Sequence, residues 1–149
     1  MSIYSHLLVP TDGSELSEAA IAHAVRLAGR LGARITVLHA RPTVPVPVMG
    51  MGEMLDPRTM DVLVAAGRED AERIVDTALK LARDAGVEAS AERLQNDQPH
   101  RAIVEAAGRL GCDLIVMASH GRRGLSGLLL GSETQRVLIE APCPVLVVR

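Results

Sequence analysis

The sequence predicts an α/β fold, an open five-stranded parallel sheet with helices on both faces. Two observations predict it. Short apolar runs, several rich in Val and Ile, alternate with longer segments whose apolar residues recur at helical spacing. Such alternation builds a parallel sheet that helices must cover on both sides. The length of 149 residues, 48% hydrophobic and 23% charged, suits one such domain over residues 1–149. Repeats, interdomain linkers and low-complexity tracts are not visible in it.

The elements follow in order. "IYSHLLVP" reads as the first strand. "TDGSELS" then offers Asp12 and Ser14 as helix caps. Ile21, Ala24, Val25, Ala28 and Leu31 carry a first helix, which Gly32 ends. "ARITVLHA" is the second strand. Residues 41–56 hold three prolines, two glycines and three methionines without a period, and are expected to form a loop or lid. Asp56-Pro57 looks like a cap followed by proline at the first helical position. From Val64 to Ala85 the spacing predicts a long second helix, closed by Gly86. "VEASAERL" alternates with one more polar face, which suits an edge strand. Pro99 opens a third helix that runs through Leu110 to Gly111. "DLIVMA" is the fourth strand. Ser132 to Glu140 form the last helix, and Pro142 and Pro144 lead into "VLVVR", the fifth strand.

Composition excludes several functions. Phe and Trp are absent and Tyr4 is the one tyrosine, so there is no aromatic platform for stacking bases. A net charge of −2 gives no general attraction to nucleic acid or an anionic membrane. Cys112 and Cys143 fit neither a disulfide framework nor a zinc site. With no signal peptide and no long apolar span in the sequence, a cytoplasmic location is expected. His39 and His120 lie near strand ends, but no third ligand accompanies them, and no metal site is assigned.

Ligands of open α/β sheets bind at the carboxyl ends of strands, where the strand order reverses. Two segments stand at such ends. One is "PTDGS" after the first strand. The other follows the fourth strand and contains Gly121, Gly124, Gly127 and Gly131 before the last helix begins. Glycine is costly to order, so a cluster implies close approach of the backbone to something. Gly131-Ser132 opens a helix whose first N–H groups lack internal acceptors, a ready site for phosphate. Hydroxyls at Ser132 and Thr134 can add donors, and Arg122 and Arg123 are nearby cations. Known signatures do not match: no Gly precedes a Lys, as a Walker loop needs, and G-x-G-x-x-G is absent. "MASHG" imitates a nucleophile elbow at Ser119, but neither Asp nor His follows His120, so the chain order of a hydrolase triad fails.

Taken together, "LVPTDGS", "VLHA", "ASHGRRGLSGLLLGS" and "APCPVLVVR" resemble the universal stress protein family, in the right order and over the whole chain. The resemblance is to its nucleotide-binding branch, which carries G-x2-G-x9-G-[S/T]. Here Gly121, nine residues and Gly131-Ser132 keep that register, while Ala118 replaces the first glycine. The resemblance implies a Rossmann-like sheet order of 3-2-1-4-5 and ATP, ADP or AMP as ligand, with or without Mg2+. It implies that Pro10, Thr11 and Asp12 line the adenine and ribose side and that Ala40 meets the adenine through its backbone. Met117, Ala118 and Gly121 would border the ribose and α-phosphate; apart from the resemblance, Arg122 is a nearby cation that could steer phosphate. Gly131, Ser132, Glu133 and Thr134 would cradle the phosphates, although a carboxylate at Glu133 repels them unless it points to solvent or helps hold a metal.

The expected function is a regulatory stress-response switch that binds an adenine nucleotide. No catalytic residue is assigned. Without a visible general base or phosphate-clamping lysine, any ATP hydrolysis is expected to be slow. A homodimer through the strand Val145–Arg149 is expected, because a sheet edge presents unpaired N–H and C=O groups. The alternative is the family's other branch, a dimeric interaction module that binds no nucleotide.

Overall fold

The structure is a computed structural model, and it describes residues 2–43, 56–121 and 129–149. The Met/Pro segment from 44 to 55, and Arg122, Arg123, Gly124 and Gly127, lie outside the described residues. The element order is β1 (His6–Pro10), α1 (Glu15–Leu31), β2 (Arg34–Arg41), α2 (Pro57–Asp84), β3 (Ala89–Gln95), α3 (Pro99–Leu110), β4 (Leu114–Ala118), α4 (Ser132–Glu140) and β5 (Val145–Val148). The strands form one sheet in the order β3-β2-β1-β4-β5, with every neighbour parallel. Fold class and strand order are therefore those expected.

Strand alternation splits the core between two faces. Leu7 and Val9 of β1, Ile35 and Val37 of β2, and Leu114 and Val116 of β4 pack with Ala24, Ala28, Ala78 and Ala82 under α1 and α2. Leu8, Leu38, Ile115 and Met117 turn to the other face, against Ile103, Ala106, Ala107 and Val137 of α3 and α4. Alanines on the helix faces let the helices come close to branched strand side chains, which is how a core without Phe or Trp reaches dense packing. β3 is the edge strand on one side, its residues alternating between half-buried and exposed over much of its length.

One strand boundary differs from the sequence expectation. Strand β1 starts at His6 rather than at Ile3, which is 77% exposed. Helix α2 starts at Pro57 as expected, and its first buried residue is Ala71. Asp56 makes no side-chain cap there, although Pro57 does occupy the first turn. Among the described residues no helix is long and apolar enough to cross a membrane.

Candidate functional site

The sheet opens where the strand order reverses. β1 pairs with β2 over five residues, His6↔Arg34 to Pro10↔Leu38, but with β4 only at Leu7↔Leu114 and Leu8↔Ile115. Beyond that point the two strands turn to opposite neighbours. The Thr11 N–H donates to Leu38 O at 2.9 Å, and the Ser119 N–H donates to Val148 O at 2.9 Å. The carboxyl ends of β1 and β4 are thus the walls of a crevice.

On the β1 wall, Pro10 and Asp12 are half-buried and Thr11 is buried. The Thr11 side chain faces α1: its hydroxyl lies 3.0 Å from Ser17 Oγ and accepts the Gly13 N–H at 3.2 Å. His39 Nδ1 donates to Thr11 O at 2.8 Å. The Thr11 hydroxyl, N–H and carbonyl are thus all engaged within the fold. Asp12 Oδ1 accepts the Ser14 N–H at 3.0 Å, and Ser14 Oγ in turn caps α1 by accepting the Ser17 N–H at 3.2 Å. The cap is Ser14, and Asp12 braces the turn before it. Asp12 also spans the crevice. A Cβ built on Gly121 would lie 2.3 Å from Asp12 Oδ2, so only glycine leaves that carboxylate its place. Ala40 is half-buried at the end of β2, on the same rim.

On the β4 wall, Met117 and Ala118 are buried. Gly131 is close to the backbone that follows β4. Its N–H donates to Ser119 O at 2.8 Å, and a Cβ there would meet His120 Cβ at 3.1 Å and His120 Cα at 3.2 Å. Thr134 is 2% exposed, and its hydroxyl donates to Ala118 O at 3.0 Å. This corrects the expectation of a phosphate donor. The buried carbonyl at the end of β4 needs a partner, and Thr134 supplies it while tying α4 to the strand. Gly131, at φ −60° and ψ 151°, has no side chain to cap α4, and Ser132 is exposed beside it. The first N–H groups of α4 are thus available at the mouth of the crevice.

Glu133 also departs from expectation. Its Oε2 accepts both the backbone N–H of His100 at 2.7 Å and the ring Nδ1–H of His100 at 2.9 Å, while Oε1 accepts from Arg136 at 3.1 Å. The carboxylate is the anion at the N-terminus of α3, which has no acidic residue in its first turn. The pairing with His100 is not visible in the sequence. The signal was weak: a helix opened by Pro99 with neither cap nor acid, and its acceptor lies 33 residues away.

Other candidates have structural roles. Burial pushes the Cys112 thiol up to about 11 and raises Cys143 as well, so both are poorly reactive packed thiols. The Ser119 hydroxyl and His120 Nδ1 are 3.2 Å apart. Among the described residues no three His, Cys, Asp or Glu side chains gather as a metal would require. A groove of about 280 Å³ between α1 and α2 touches Thr11 and Gly13 but no residue of β4 or α4.

Known proteins share this fold. Residues 3–149 match the Universal stress protein family. Universal stress protein MJ0531 of Methanocaldococcus jannaschii is 36% identical over 151 residues, covering 99% of this chain and 84% of that one. Protein MJ0577 of the same organism has a solved structure that superposes with a TM-score of 0.83 at 29% identity, covering 98% of this chain and 96% of that one. A universal stress protein solved in complex with cAMP shares the fold, with a TM-score of 0.70 at 24% identity over 100% of this chain and 98% of that one. The chain belongs to the universal stress protein family.

Proposed function

We propose that this chain binds an adenine nucleotide in the crevice between β1 and β4 and serves as a nucleotide-dependent regulatory switch. One observation carries the reading: α4 begins, without a side-chain cap, at the wall opposite Asp12. The helices around it differ. The N-terminus of α1 has Ser14, Glu15 and Glu18, and that of α3 has Glu133. An external anion at the crevice therefore finds N–H groups of the first turn of α4 at Ser132, Glu133 and Thr134, beside Gly131. ATP fits this pattern, as do ADP and AMP, with the base toward Pro10, Thr11 and Ala40 and the ribose beside Asp12, Met117, Ala118 and Gly121. Arg122 would add a cation to the phosphates, with or without Mg2+. Hydrolysis is slow in this reading, which assigns neither a general base nor a phosphate-clamping lysine among the described residues.

We place the same switch in a cytoplasmic homodimer built through β5. The Ile115 N–H reaches Pro144 O and the Ser119 N–H reaches Val148 O. Even-numbered residues of β5 therefore face β4, and Val145 and Val147 turn their N–H and C=O groups outward. β5 is the last strand of the sheet. A second copy running antiparallel would satisfy both edges by two-fold symmetry. Ala118 favours a second reading, a dimeric interaction module without nucleotide, because its methyl replaces the first glycine of the family motif. Calorimetric titration with ATP, with and without Mg2+, decides between them. Saturable heat supports the switch; no heat at millimolar ATP, and no nucleotide retained in native mass spectrometry, selects the module.

A further inference from the structure

Glu133 places a carboxylate in the first turn of the helix that the nucleotide reading assigns to phosphates. One turn of helix is about 5.4 Å, so a carboxylate that swung toward the crevice would oppose the ligand. Two donors from one residue hold it elsewhere, the His100 N–H and the His100 Nδ1–H, both on Oε2. His100 is buried, whereas the partner on the other oxygen, Arg136, is an exposed i,i+3 neighbour that adds little hold. For the ring to donate through Nδ1 to a carboxylate, neutral His100 must be the Nδ1–H tautomer.

We propose that His100 is a specificity-determining positioning residue, which latches the Glu133 carboxylate onto the N-terminus of α3 and so lets the first turn of α4 accept a polyphosphate. The role rests on the nucleotide reading. It concerns charge more than shape, so it weighs more on ATP than on AMP, whose single phosphate carries less charge. With His100→Ala the backbone N–H remains, and the carboxylate is loosened rather than released. Removing its charge as well removes the reason for the latch.

The test measures ATP and AMP affinity in wild type, His100→Ala, Glu133→Gln and the double variant. His100→Ala is expected to weaken ATP about fivefold and AMP less than about twofold, from a unit charge partly screened by solvent. In the His100→Ala background, Glu133→Gln is expected to restore ATP affinity, because it removes the side-chain charge and keeps the backbone N–H. Should His100→Ala melt early, His100→Leu keeps the buried volume. Nitrogen-15 spectra of the imidazole are expected to show the Nδ1–H tautomer in wild type. A loss of ATP affinity that Glu133→Gln does not rescue, equal losses for ATP and AMP, or an Nε2–H tautomer overturns the role. Loss of Mg-ATP binding in Glu133→Gln alone also overturns it, since Glu133 would then serve a metal. A wild type that binds neither nucleotide overturns the nucleotide reading itself, whereas normal binding in every variant overturns only the latch.

Discussion

Gly121→Ala is the sharpest probe of the crevice. The backbone at Gly121 is outside the left-handed region, so alanine brings no strain of its own. Its methyl would lie 2.3 Å from Asp12 Oδ2 and 3.3 Å from Asp12 Cγ, and one of the two must move. The flexible end moves more easily than the chain, so the Asp12 carboxylate swings away and the Ser14 N–H loses an acceptor held at 3.0 Å. A hydrogen bond to a charged group contributes about 1.5–3 kcal/mol, but here water regains access to both partners, so about 1 kcal/mol of stability is lost. For a chain of this size that lowers the melting temperature by about 2–4 °C. Nucleotide binding suffers more, because Asp12 would no longer meet the ribose. The loss of about 1.5–3 kcal/mol is a factor of roughly 10 to 150 in Kd. Thermal melts and ATP calorimetry on Gly121→Ala, Asp12→Ala and the double variant separate the effects, since both changes act through one carboxylate and should not add. Unchanged ATP affinity in Gly121→Ala, or losses that add in full, would refute the reasoning.

Further outcomes follow from the same geometry. Gly131→Val adds bulk 3.1–3.3 Å from His120 and Ser119, so it is expected to abolish ATP binding and cost about 1–3 kcal/mol of stability; normal binding in calorimetry would remove Gly131 from the site. Thr134→Val leaves the Ala118 carbonyl buried without its donor and is expected to cost about 1–3 kcal/mol in urea melts, a figure that a fully tolerated variant would contradict. Burial, helped by Arg34, lowers the His6 pKa, so its contribution is present above pH 6.5 and is lost as pH falls and the unfolded chain takes up the proton. Burial alone would raise Asp113, but hydrogen bonds from the Ser5 hydroxyl and the Ser5 and His6 N–H groups outweigh it, and the net shift is downward. A second decline is therefore expected below pH 3.8, and equal acid slopes in wild type and Asp113→Asn would disprove it. Val147→Pro removes an outward donor of β5 without breaking a bond to β4, and light scattering is expected to change from dimer to folded monomer; a wild type already monomeric at micromolar concentration would end the dimer proposal.

What local chemistry determines was legible in the sequence. Periodicity, Gly32, Gly86 and Gly111 at helix ends and Pro57 and Pro99 at helix starts marked the elements to within a few residues, because each acts on its own segment of chain. The register of Gly121 and Gly131-Ser132 and the two segments at strand ends marked the crevice for the same reason. Direction of side chains across the fold was decided only by tertiary structure. Thr11 turned to Ser17, while Thr134 turned to the Ala118 carbonyl and Glu133 to His100, the last two because a buried carbonyl and a helix terminus elsewhere in the chain needed a partner. Such groups must be satisfied once water is excluded, but which residue satisfies them depends on how strands β1 and β4 and helices α3 and α4 come together in space. The contact of Asp12 with Gly121 is of the same kind: two short motifs, each readable alone, became one site when the sheet order made β1 and β4 neighbours.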